Sequence, residues 1–108
     1  MSEYHTRKFR SLVVETMIED LKFGEMLLRF LELRSTIRRE EIAIKPERFS
    51  EELKKLLGDG SKPIEETLLT NLYRRLNIEY RNESNQNFQR RIKEALGKFT
   101  QNNHNTKP

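Results

Sequence analysis

Residues 56–72, LLGDGSKPIEETLLTNL, constrain the fold more than any other part of the chain. Gly58 and Gly60 follow an apolar helical pattern and favour a stop, because glycine accepts backbone conformations that other residues avoid at helix ends. Ser61 offers a side chain that can cap a new helix, and Pro63 suits its first turn. The segment therefore predicts one helix that ends and turns, with a second helix starting at once.

Apolar residues recur at helical spacing along the chain, which argues against disorder although 35% of the residues are charged. Helices are predicted over about Thr6–Lys22, Glu25–Arg34, Pro46–Leu57, Lys62–Leu76 and Asn85–Phe99. The predicted fold is all-α, a bundle of four to five short helices formed by residues 1–99. Residues 100–108 contain no apolar side chain and are predicted to form a flexible tail.

The second predicted helix is apolar on nearly all sides, with Met26, Leu27, Leu28, Phe30, Leu31 and Leu33. Helices with this pattern are usually buried, so we expect it to be the central element of the core. Gly24 predicts a break before it. Asn77 predicts a left-handed stop after the fourth helix, with Ile78 folding back onto the helix end. Residues 35–45 could form either a helical turn or an extended stretch.

Some apolar residues exceed what so small a core is expected to hold. They are Tyr4, Phe23 and the segment Ile42–Ile44. They predict either an exposed interaction patch or caps at the ends of the bundle.

The chain has no cysteine, which excludes disulfides, zinc–thiolate sites and thiol catalysis. Neither a signal-peptide pattern nor a long apolar run is present, so a soluble cytoplasmic protein without membrane contact is expected. His5 and His104 lie near opposite ends, and we predict no enzymatic activity. An excess of Glu, Lys and Arg favours a thermophilic source, although eight asparagines argue against it.

A calcium site is one alternative function. Asp59, Ser61, Glu65 and Glu66 supply oxygen ligands in and after the GDGS turn, and Ca²⁺ prefers such ligands. An EF-hand loop starting at Asp59 fails, because its sixth position is Ile64 rather than glycine. The competing interpretation is that Asp59 simply occupies a turn that tolerates left-handed backbone. No other cofactor is predicted.

Nucleic-acid binding is the least favoured alternative. The net charge is only +4, and charges of opposite sign alternate along the chain. The candidate basic residues are Arg38, Arg39, Arg74, Arg75, Arg90, Arg91 and Lys93. Helices three and four could form a helix-turn-helix, but Glu65 and Glu66 near the start of its second helix would repel phosphates.

Several motifs resemble a family of small archaeal helical domains, the Nitrosopumilus-type output domains. The similar segments are PERFSEEL (46–53), LGDGSK (57–62), IE (64–65), LYRRLNI (72–78) and LKFGE (21–25). Pro63 departs from the family pattern, in which a small residue is usual. The resemblance implies a helical bundle with no catalytic residues, and a role in regulation or partner binding. We therefore expect a non-enzymatic regulatory or protein-interaction module that binds a protein partner and is a monomer or weak dimer.

Overall fold

The computed structural model describes residues 3–35, 37–81 and 87–105. Within these residues the chain is helical and contains no strand, which confirms the all-α prediction. The helices are α1 (Glu3–Asp20), α2 (Gly24–Arg34), α3 (Pro46–Leu57), α4 (Ser61–Leu76) and α5 (Phe88–Asn105), with 3-10 turns at Arg39–Glu41 and Gly58–Gly60.

The core forms where α4 packs against α1, α3 and α5. The predicted apolar rows of these helices face inward, and the side chains that close the core are fully or almost fully buried. They are Phe9, Val13 and Met17 from α1, Phe49 and Leu53 from α3, Leu68, Leu69, Leu72 and Tyr73 from α4, and Phe88, Ile92 and Ala95 from α5. Burial of these rows is what holds the charged helices together, since hydrophobic stabilisation grows with the apolar area removed from water.

The junction between α3 and α4 forms as predicted, but its backbone conformation and helix capping differ from the prediction. Gly58 has positive φ (60°), whereas Gly60 (φ −67°) and Ser61 (φ −69°) have right-handed helical backbone. Ser61 is buried inside α4, and no side-chain cap bond forms at the start of that helix, so the predicted N-cap was wrong. Asp59 lies in the 3-10 turn without left-handed backbone, which also rules out the left-handed interpretation of this residue.

Helix α2 lies at the edge of the bundle, so its predicted place at the centre of the core was wrong. It packs mainly on α1 and only slightly on α3, and it buries Gly24, Leu28 and Leu31. Gly24 permits this packing, because a Cβ atom there would come within 1.8 Å of the Met17 carbonyl oxygen. The predicted break before α2 is therefore also a point where two backbones touch.

Asn77 ends α4 as predicted. Its backbone is left-handed (φ 61°), and the Ile78 N–H donates to the Tyr73 carbonyl at 2.9 Å. This is the hydrogen bond of a Schellman motif, which satisfies carbonyls left free at a helix end.

Helix α5 extends further than its predicted range. Asn87 precedes it and accepts a hydrogen bond from the Arg90 N–H at 2.8 Å, as an N-cap does. The helix continues to Asn105, so residues 100–105, predicted to belong to a flexible tail, are helical. The predicted start at Asn85 and the last three residues of that tail lie outside the described residues.

Residues 37–45 form a 3-10 turn and its flanks. Ile37, Ile42 and Ala43 are buried, whereas Ile44 is half exposed. Tyr4 and Phe23 are also exposed. The apolar residues predicted to exceed the capacity of the core are therefore partly buried and partly at the surface.

Candidate functional site

Helix α2 and the residue before it carry a row of exposed apolar side chains, which we call the α2 stripe. Its members are Phe23 (74% exposed), Met26 (56%), Phe30 (49%) and Leu33 (84%). They are spaced three, four and three residues apart, which keeps them on one side of a helix. This is the spacing of a helix–helix packing seam and is narrower than the face of a helix that lies in a core.

The α2 stripe faces away from the protein. At 100° per residue, Leu28 and Leu31 lie about 140–160° around the helix from Met26. These two leucines are buried against the bundle. Helix α2 therefore has two separate apolar faces, of which only one is used in the fold. The sequence already contained this signal, because its apolar residues fall into two opposed rows.

Phe23 heads the stripe in a strained backbone conformation. It is one of two non-glycine residues with positive φ among the described residues, at φ 60° and ψ 23°. Left-handed backbone costs a residue with a Cβ roughly 1–2 kcal/mol. The fold nevertheless leaves Phe23 74% exposed, so its ring removes little apolar surface from water.

One side of α2 is tied to the following 3-10 turn by ion pairs. Arg39 donates from Nη1 to Glu25 Oε1 and from Nε to Glu32 Oε2, each at 3.0 Å. Hydrogen bonds from Arg39, and then from Arg29, lower the pKa of Glu25 to about 2. Arg39 likewise lowers the pKa of Glu32. These contacts fix the orientation of α2, and with it the direction in which the stripe faces.

The predicted calcium ligands do not converge. Ser50 donates to the Glu65 carboxylate at 2.5 Å, and burial raises the pKa of Glu65. Glu66 accepts instead from the Tyr80 hydroxyl at 3.3 Å. Asp59 is exposed and Ser61 is buried.

Among the described residues, no three or more His, Cys, Asp or Glu side chains are grouped so as to hold a metal ion. Calcium binding at the GDGS turn stays a prediction.

The basic residues considered for nucleic-acid binding are spread over several elements. Arg75 joins α4 to α1 by donating to Asp20 at 3.0 Å, and Arg39 is bound to α2. Arg91 is buried, with its guanidinium carbon 4.5 Å from the centre of the Tyr80 ring. These three of the seven candidate cations thus contact other parts of the fold, and Arg74 donates to Asn71 within α4 at 2.8 Å. Nucleic-acid binding also stays a prediction.

Two contacts involve side chains, a tyrosine paired with a glutamate and a histidine, that act as catalytic groups in other proteins. The Tyr73 hydroxyl lies 2.6 Å from Glu94 Oε1 and 2.8 Å from the Arg91 carbonyl, and burial raises the Tyr73 pKa. His5, near the start of the chain, packs edge-on against Phe99, with ring centres 6.2 Å apart. Both arrangements join one helix to α5, so they serve the packing of the bundle.

A shallow groove of about 360 Å³ lies between α1 and the first 3-10 turn. Its lining mixes both signs of charge, with Arg7, Arg10, Ser11, Val14, Glu15, Arg39 and Glu40. Arg39 is already bound to two carboxylates, and Glu15 approaches Arg75 at 3.6 Å. The groove therefore offers no concentrated charge for a ligand, and the α2 stripe is the stronger candidate site.

Comparisons with known proteins identified no relative of this chain. No protein-family model matches this chain. Neither the curated proteins nor the solved structures gave a significant match. Within the described residues, no helix combines the length and the apolar character that crossing a bilayer requires.

Proposed function

We propose that this chain is a non-enzymatic protein-interaction module and that its partner docks on the α2 stripe. The observation that carries the proposal is the exposure of four large apolar side chains in one helical row. An intracellular regulatory setting, which the family resemblance implies, is part of the same proposal.

The size of the stripe supports this function. Four side chains of this kind, each about half exposed or more, present on the order of 500 Å² of apolar surface. That is as large as the biggest apolar patch on a typical monomer, and such patches commonly mark interaction sites. Single exposed apolar residues need no such explanation, but here the row is continuous along the whole of α2.

The backbone of Phe23 supports the same function from an independent observation. Strained residues persist where the surrounding structure holds them, and they are frequent at binding sites. Phenylalanine at this position gains little from burial in the isolated chain, because the residue is 74% exposed. A partner that covers the ring would remove its apolar surface from water and supply the missing stabilisation.

Affinity purification from cells of the source organism would test the proposal. Wild type is compared with the stripe variant Phe30→Ser/Leu33→Ser and with the control variant Ile44→Ser/Leu57→Ser. The control removes two exposed apolar side chains outside α2. We expect a protein that copurifies with wild type and control but is lost with the stripe variant, and that binds again when both proteins are purified. Partners that bind all three forms equally would contradict the proposal.

A Phe23→Asn variant sharpens the test, because asparagine tolerates left-handed backbone better than phenylalanine does. We expect its stability to equal or exceed that of wild type by up to about 1 kcal/mol, while affinity for the partner falls. Loss of both stability and binding would indicate instead that the ring is needed for the fold. Thermal unfolding followed by circular dichroism measures the first quantity, and titration calorimetry measures the second.

A further inference from the structure

We propose that the partner segment is an amphipathic helix whose apolar row is flanked by acidic residues. This inference rests on the proposed function and adds the chemistry of the partner. It is carried by the arrangement of charges around the α2 stripe, in which cations lie next to the apolar row and carboxylates lie further away.

Two arginines border the stripe, one on each side. On a helical projection, Arg29 lies about 40° beyond Leu33, and Arg34 lies about 40° beyond Phe30 on the opposite side. Both are exposed; Arg29 pairs with Glu25 on its own helix at 3.0 Å, whereas Arg34 forms no ion pair with any described carboxylate. Residues at these positions face the flanking residues of a helix that packs on the row, as e and g positions do in coiled coils.

The carboxylates of α2 are turned away from the stripe and are already paired. Glu25 and Glu32 lie about 80° from Leu33 or further, on the side that faces the 3-10 turn. Arg39 binds both of them at 3.0 Å. Lys22, next to Phe23, is another exposed cation without an ion pair to a described residue. The rim of the stripe is therefore basic, although α2 as a whole contains both signs.

A second copy of the chain fits this rim poorly. Two α2 helices packed through their stripes would bring basic rims together, and like charges across an interface disfavour association. A membrane surface would satisfy the cations, but helices that lie in membrane interfaces carry a wide apolar face. The three helical members of the stripe span only about 60° of the helix. The narrow row matches another helix, and the basic rim favours acidic flanks on it.

Two synthetic helical peptides would test this partner chemistry. Both carry leucine at the same a and d positions, and the flanking positions are glutamate in one peptide and lysine in the other. Fluorescence anisotropy against the intact chain should show the acidic peptide binding roughly tenfold tighter at low salt, because a few rim pairs supply that factor. Added salt should reduce this preference.

Charge reversal should invert the preference. In Arg29→Glu/Arg34→Glu the lysine peptide should bind more tightly, and Arg34→Glu alone should remove most of the preference if the double variant is poorly folded. The control is Arg90→Glu/Lys93→Glu, which makes the same change in net charge on exposed residues of α5 and should leave the preference intact. If the control variant also lost its preference for the acidic peptide, the preference would depend on net charge alone, and the inference would be overturned.

The remaining outcomes separate this inference from the proposed function. Equal binding of both peptides, lost in Phe30→Ser, would refute the acidic partner and leave the interaction surface in place. No binding of either peptide, stripe-dependent self-association in sedimentation equilibrium, or stripe-dependent binding to anionic phosphatidylserine vesicles in preference to the acidic peptide would each overturn it. The copurification experiment tests the interaction module without either peptide.

Discussion

Helices α2 and α4 each contain six large apolar side chains, in 11 and 16 residues respectively, yet they have opposite places in the molecule. Helix α4 packs on α1, α3 and α5, and its leucines form one inner row. Helix α2 packs mainly on α1, and its apolar residues divide between an inner and an outer row. The more uniformly apolar helix is thus the less buried one.

The difference teaches that the number of apolar residues does not decide which helix is central. Burial depends on how many neighbours a helix can contact, and α4 contacts three other helices while α2 contacts α1 and, less closely, α3. A second apolar face on a peripheral helix is left without a neighbour inside the domain. Under the proposed function, a partner covers this face.

Truncating one leucine in each helix should give the largest contrast. Leu68→Ala in α4 removes a fully buried side chain and should lower the free energy of unfolding by about 2–5 kcal/mol. Leu33→Ala in α2 should change it by no more than about 0.5 kcal/mol, because that side chain is exposed. Urea unfolding followed by circular dichroism measures both values. Equal losses would mean that the outer row of α2 is covered in the folded domain.

The contact of α2 with α1 should be sensitive to a single methyl group. Gly24→Ala places a Cβ within 1.8 Å of the Met17 carbonyl oxygen, so the two helices must move apart. We expect a loss of about 1–3 kcal/mol. Gly97→Ala in α5 is the matched control, because nothing lies within 4 Å of its added Cβ. The control should be stabilised by up to about 1 kcal/mol, and a similar loss in both variants would disprove the close approach.

The parts of the fold that depend on local signals could be predicted from the sequence. Helix α3 begins at Pro46 and ends at Leu57 as expected, because proline starts a helix well and glycine follows its last residue. Asn77 gave a second correct boundary. Helix α5 was predicted too short, since Phe99 is the last apolar residue of its row but no glycine or proline stops the helix there.

The candidate site depends on packing between distant segments, and so it was predicted only in part. Phe23 was recognised as surplus to the core, but Met26, Phe30 and Leu33 were assigned to the interior. Gly24 predicted a break before α2, but not the positive φ that occurs at Phe23. Gly24 is needed for the close contact with α1, and no local pattern reports that contact.

The polar contact that anchors α4 should matter less than its leucines. Tyr73→Phe removes the hydroxyl that joins α4 to Glu94 and the Arg91 carbonyl on α5. We expect a loss of about 1 kcal/mol, because a buried hydrogen bond contributes that much on average. Tyr80→Phe, whose hydroxyl makes an exposed contact with Glu66, is the control and should lose less. Chemical denaturation measures the free energy of unfolding of both variants. A Tyr80→Phe variant less stable than Tyr73→Phe would contradict the prediction.

The ion pairs that orient α2 should give the smallest effect, and it should depend on pH. Hydrogen bonds from Arg39, and then from Arg29, lower the pKa of Glu25 from 4.5 to about 2, so the folded state binds fewer protons than the unfolded state in this range. The stabilisation is therefore present above about pH 4.5 and is lost as the pH falls towards 2. Arg39→Gln should be less stable than wild type at neutral pH, with a difference that shrinks on acidification and in high salt.

Arg29→Gln is the control for this effect, because Arg29 contacts Glu25 alone while Arg39 also holds Glu32. The control should show the same sign with a smaller difference. Unfolding midpoints of wild type and both variants, measured between pH 2 and pH 7, give the stability differences as a function of pH. A difference that stays constant over this range would mean that Arg39 stabilises the turn through packing, and that the outward direction of the α2 stripe does not depend on these carboxylates.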